Sequence, residues 1–255
     1  MKSSKDKGII FSKTRIILGS LLISGAIGIG TGCETINMNE VMNSLTNISP
    51  DGGLSQANIE SALREALVVG TNKTVALTSA DGGYSNNPLI KIPMPVELAK
   101  ISKTLTSLGL GSYVTEFNTK MNEAAEQAAA LAGPVFTDAV TNMNFDDVQN
   151  VFNGGDTAAT NYFKKNTADK LTNIYTPIVK EKMKEVGAVD VYNNMVKRYN
   201  EIPFVKKVNF NIENYVTTNA LEGLFKTLAL EETKIRQNPA ARTTELLKMV
   251  FGSTK

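Results

Sequence analysis

The chain has 255 residues, with 27 basic and 25 acidic side chains, no histidine and a single cysteine. The lack of histidine removes the usual general base, and with it serine and cysteine triads of the ordinary type. With one thiol besides, neither a zinc site of the usual nitrogen and sulfur ligands nor an internal disulfide can be built, so stability must come from core packing.

Lys2, Lys5, Lys7, Lys13 and Arg15 outnumber one acid, Asp6, and Ile16 to Ile29 then runs without a charge. A basic start, a short apolar stretch and a small-residue site form the secretory signal pattern. The apolar stretch is too short and too glycine-rich to span a bilayer, which takes roughly 20 apolar residues. The glycines of "GAIGIGTGCETIN", residues 25–37, invite a phosphate-loop reading. Their G-x-G-x-G spacing is not the dinucleotide fingerprint, and a basic, apolar leader precedes them. Residues 1–32 are therefore read as a signal peptide.

Cys33 follows Thr31-Gly32, and small residues ending in cysteine resemble the lipobox of bacterial lipoproteins. That resemblance implies acylation of Cys33 and cleavage just before it, although Gly30 stands where the pattern prefers an aliphatic residue. The alternative is ordinary cleavage nearby, leaving Cys33 as a plain thiol. No histidine exists to activate it as a nucleophile. Glu34 is not the aspartate that marks inner-membrane retention in some bacteria, which favours an outer membrane where there is one. Removing residues 1–32 leaves 22 basic against 24 acidic side chains. No net basic field remains to suggest nucleic acid.

Residues 33–54 are polar, and "NISPDGG" reads as a linker or loop, a tether between Cys33 and a folded body. From Ser55 helical periodicity dominates. Ile59, Ala62, Leu63, Ala66 and Leu67 form one apolar stripe, with Gly70 as its stop. Residues 79–95 are the main irregular segment, broken by glycines and prolines; long loops in helical domains are often functional. Met121, Ala125, Ala128, Ala132, Val135, Ala139 and Met143 keep helical phase through Gly133-Pro134, predicting a kinked long helix or two nearly collinear ones. Gly154-Gly155 end a helix and Asp156 caps the next. Leu171, Ile174, Tyr175, Ile178, Met183 and Val186 give a further stripe, bent at Pro177 and ended by Gly187. Leu221, Leu224, Phe225, Leu228 and Ile235 share a face. Asn238 then caps a last helix whose first position is Pro239, with Leu246, Leu247, Val250 and Phe251 packed and Gly252 closing it. The expected architecture is all-α: a single-domain bundle of roughly eight to ten helices over residues 55–255.

Three stretches, "GGDTAATNYFKKNT", "NYVTTNALEGLF" and "EETKIRQNPAARTTELLKMVFG", together resemble an uncharacterised bacterial family, the domain-of-unknown-function family numbered 4197. The resemblance runs from about Gly53 to Phe251. It implies an exported, often lipid-anchored, wholly helical protein, and supplies no activity or catalytic residue.

Among the polar residues, Glu232 and Arg236 stand four apart, a favourable ion-pair spacing. With Arg242 they form a candidate cluster, either pairing structurally or receiving an anionic ligand. Asp146-Asp147 and Glu231-Glu232 are carboxylate pairs by type, but helical neighbours point about 100° apart. The basic doublets Lys164-Lys165 and Lys206-Lys207 lie near Tyr162, Phe163, Phe204 and Phe210, a pattern that suits either a solvated face over a core or an anionic ligand.

The expectation is a cell-envelope lipoprotein facing the periplasm, held at the membrane through Cys33, with a non-enzymatic body that binds an envelope protein or an apolar ligand. No cofactor, metal or nucleic acid is expected. The alternatives are a lipid carrier, or a histidine-free hydrolase needing acids such as Asp147, Asp156 and Glu232 to meet in one cleft.

Overall fold

A computed structural model describes residues 54–252. The expected signal segment, Cys33 and the tether up to residue 53 lie outside the described residues. Within them the chain forms nine α-helices and no strand. These are α1 (Gln56–Thr78), α2 (Ala99–Ser107), α3 (Gly111–Ala130), α4 (Ala132–Thr141), α5 (Val148–Phe152), α6 (Ala158–Glu185), α7 (Ala188–Asn200), α8 (Ile212–Gln237) and α9 (Glu245–Gly252). Short 3-10 turns at Val96–Leu98 and Pro239–Ala241 precede α2 and α9.

The buried stripe of α8 organises the bundle. Leu221, Leu224, Phe225, Leu228 and Ile235 are all buried, and α8 packs along both α6 and α1. Phe136 of α4, Phe163 of α6 and Phe225 of α8 form a ring triangle with centroids 5.5–5.9 Å apart. Tilted aromatic contacts of this kind add to the area they bury. The alanines of α3, from Ala124 to Ala129, are fully buried and let α6 approach closely.

The structure corrects some predicted details and refines others. Gly70 does not stop α1. The helix continues to Thr78, and its inward face passes from leucines and alanines to Thr71, Thr74 and Thr78, all buried. Of the two forms expected for the Met121–Met143 segment, the structure has two helices, separated at Leu131; Pro134 sits in the first turn of α4, where its missing N–H has no intrahelical partner to lose. The inward row of α6 is Leu171, Tyr175, Val179 and Met183, while Ile174 faces outward. Pro177 lies inside α6, which remains helical on both sides. Asn238 caps only the 3-10 turn, and α9 starts at Glu245, with the Thr244 hydroxyl accepting the Leu247 N–H at 3.2 Å. Asp156 does not cap α6. That role falls to a residue from another helix.

Two glycines mark close approaches, Gly70 of α1 to α8 and Gly223 of α8 to the irregular segment 79–95, and they differ in what they tolerate. A Cβ on Gly70 would stand 2.9 Å from Leu228 Cδ1, the movable end of a side chain. A Cβ on Gly223 would stand 2.6 Å from Tyr84 Cε1 and 3.3 Å from Ile90 Cβ, and Tyr84 is buried with its hydroxyl bonded to the Ala220 carbonyl. Gly70→Ala is therefore expected to be near neutral, since the gain in helix propensity offsets a small shift. Gly223→Ala is expected to cost about 1–3 kcal/mol by overpacking. Paired urea titrations check this, and equal midpoints for the two variants would contradict it.

Candidate functional site

The charged residues of the C-terminal helices hold helix ends. Glu232, 2% exposed, reaches from α8 to the start of α6. Its Oε1 accepts the Ala159 N–H at 3.0 Å, and its Oε2 accepts the Thr160 N–H and hydroxyl, both at 2.7 Å. The first N–H groups of a helix have no partner within it, and an anion there also meets the positive end of the helix dipole. Arg236 donates from Nε to Glu232 at 2.8 Å, and its other nitrogens donate to the carbonyls of Phe152 and Val151 at the end of α5. Arg242 turns back on α8 and donates to the carbonyls of Ile235 and Arg236. The predicted cluster is thus brought together, with each polar group committed to a helix end. Arg64, not singled out in the sequence, does the same for α4: it pairs with Glu60 and donates to the carbonyls of Val140, Thr141 and Met143.

The irregular segment 79–95 is strapped between α3 and α8. Glu126 Oε1 accepts the N–H groups of Tyr84 and Ser85 and the Ser85 hydroxyl at 2.9–3.1 Å. One turn earlier, the Asn122 amide pairs with both the N–H and the carbonyl of Ile92. From α8, Tyr215 donates to the Pro93 carbonyl and Lys226 to that of Leu89. Burial of Ile90 and Ile92 around exposed Lys91 completes the anchoring. Burial pushes the Tyr84 phenol well above its ordinary value, and the neighbouring Tyr175 and Glu126 raise it further.

This strap leaves a groove of about 470 Å³ between itself, the end of α1 and α8. Leu77, Leu89 and Leu230 line it while remaining 46%, 53% and 43% exposed. Asp81, Asn86, Asn87 and the Glu231–Lys234 ion pair edge it with polar groups. The groove draws one leucine from each of three segments, which is why no single stretch of sequence announces it.

The other expected residues are dispersed. Asp147 and Asp156 are exposed, and each accepts a hydrogen bond from a side-chain amide, of Asn150 and Gln237 respectively. Neither shares a groove with Glu232, whose two oxygens are occupied. No group of three or more acidic or cysteine side chains among the described residues could hold a metal ion. Lys164 bridges to Glu222 at 2.6 Å and lies over the Phe225 ring, tying α6 to α8. No helix among the described residues is long and apolar enough to cross a membrane.

Comparison with known proteins gives one match: the family model described as "Protein of unknown function (DUF4197)" covers residues 53–252. No curated protein and no solved structure matches the chain.

Proposed function

We propose, from the premise that this chain belongs to the DUF4197 family of proteins of unknown function, that it is a lipid-anchored envelope protein whose helical body is a non-enzymatic binding module. The basic and apolar leader ending at Cys33 supports the location, and a periplasm-facing body follows from it. Stable anchoring requires two or more acyl chains, so Cys33 is expected to carry a multiply acylated group.

The observation that carries the binding reading is the convergence of Leu77, Leu89 and Leu230 on one open groove. An apolar centre with a polar rim is the usual anatomy of a protein-binding surface. Its occupant is best matched by a short apolar segment of another envelope protein. The leucines give shallow sockets, and Asn86 and Asn87 put polar side chains at their rim. A fatty chain would instead be expected in an enclosed, uniformly apolar cavity.

The test has two parts. Mass spectrometry of the mature protein is expected to find an acylated Cys33 at the N-terminus, and an unmodified terminus elsewhere would refute the anchor. Photo-crosslinking amino acids placed at positions 89 and 230 in intact cells are expected to trap a discrete adduct that position 131, an exposed leucine of the α3–α4 junction, does not. Leu77→Ser should diminish the adduct while leaving the helical signal intact. Equal labelling at all three positions would end the groove reading.

A further inference from the structure

The turn between α7 and α8 presents an unusual surface. Phe204 is fully exposed and is the one non-glycine residue with positive φ among those described, at +65°. Holding an aromatic residue in that conformation is costly, and here the cost leaves a large apolar ring in water. Half-buried Ile202 and Val205 fix the turn on either side. Residues 197–207 contain four basic side chains and one acid, Glu201, whereas residues 54–252 as a whole are balanced at 21 of each sign. Lys197, Arg198, Lys206 and Lys207 are all exposed, and Glu201 is engaged by Arg198 at 3.4 Å.

A second turn joins this surface. Tyr113, in the first turn of α3, lies close to the Arg198 side chain at the end of α7, and both α2 and α3 pack against α7. The α2–α3 turn therefore lies at the same end of the bundle, and its Leu108 is also exposed. A shallow recess of about 450 Å³ at this end is lined by Lys197, Lys207, Asn193, Asn200 and Glu201, the acid that Arg198 engages.

We propose that this end of the bundle docks on an anionic phospholipid surface. Phe204 and Leu108 enter the headgroup–acyl boundary, and Lys197 and Lys207 meet the phosphodiester. An apolar tip ringed by cations is the pattern that binds such interfaces, and each cation near the surface adds to the attraction. The inference deepens the envelope reading by naming the membrane as a partner of the folded body as well as of the anchor. The two are separable, since acylation of Cys33 is read by mass and the docking face by the environment of position 204.

The chain contains no tryptophan, so Phe204→Trp installs a single fluorescent reporter. In the full chain carrying Cys33→Ser, emission from the F204W indole is expected to move to the blue with phosphatidylglycerol vesicles, to be quenched by brominated acyl chains, and to revert in high salt. The same shift should be absent with pure phosphatidylcholine. Lys206→Gln with Lys207→Gln is expected to lower the ratio of embedded to free reporter about 25-fold, at roughly 5-fold per cation. A reporter placed instead by Leu131→Trp, at the far end of the roughly 30 Å length of α3, should stay in water. An unmoved F204W emission, or equal shifts for reporters at 204 and 131, overturns the proposal. A shift that depends on protein concentration without vesicles would assign the face to a second copy of the chain instead.

Discussion

Glu232→Ala is expected to remove about 3–5 kcal/mol of folding stability, the range for breaking a buried ion pair on one side. The carboxylate serves four donors at once: two main-chain N–H groups, the Thr160 hydroxyl and Arg236. Its removal opens the first turn of α6 and leaves Arg236, itself nearly buried, without a counter-charge. Domains of this kind have only about 5–15 kcal/mol in total, so the variant should unfold at much lower urea concentration. The double variant Glu232→Ala/Arg236→Ala should lose less than the sum of the two single losses, by about 0.5–3 kcal/mol, because the second truncation removes the stranded cation. A single-variant loss below about 1 kcal/mol, the scale of an exposed pair, would show that the clamp is not what holds α6.

The second large effect is alkaline. Tyr84 and Tyr175 are both fully buried, and burial raises both phenols well above the ordinary value near 10. In the unfolded chain they ionise near that value; in the folded chain they keep their protons to higher pH. Their contribution is therefore whole below about pH 10 and declines above it, at about 1.4 kcal/mol per pH unit for each phenol. Unfolding free energies from urea titrations up the alkaline range should fall by about 3 kcal/mol per pH unit for the pair. Phenolate absorbance, unobscured by tryptophan, should show that these two titrate only as the protein unfolds. Tyr175→Phe should roughly halve the slope. It should leave neutral-pH stability intact or improved, since the Tyr175 hydroxyl is buried without a partner. Normal titration of all seven tyrosines in the folded state would refute the account.

The helical architecture was legible because apolar residues recur at the helical step, as along α8 and the alanines of α3. Failures fell where that signal is weak. Thr71, Thr74 and Thr78 are polar by type, so the inward face of α1 reads as ending at Gly70. Asp156 had the right type and place for a cap, but Glu232, more than seventy residues later, does the capping. A cap supplied by another helix leaves no local spacing to read. Glu126 and Asn122 could have been noticed as polar residues four apart on the alanine-rich face of α3, a position that requires buried partners. The groove is less legible still, because its leucines come from three separate segments and are indistinguishable by type from core leucines.

The order in which the clamps are supplied has a bearing on biogenesis. Helix α1, the first of the described helices to be synthesised, is covered by α8 and α9, the last, and the ends of α5 and α6 are closed by side chains of α8. A nascent chain emerging amino end first therefore lacks the pieces that would lock it until nearly all of it has left the ribosome. Such a polypeptide stays threadable through most of its synthesis, which suits the export proposed above.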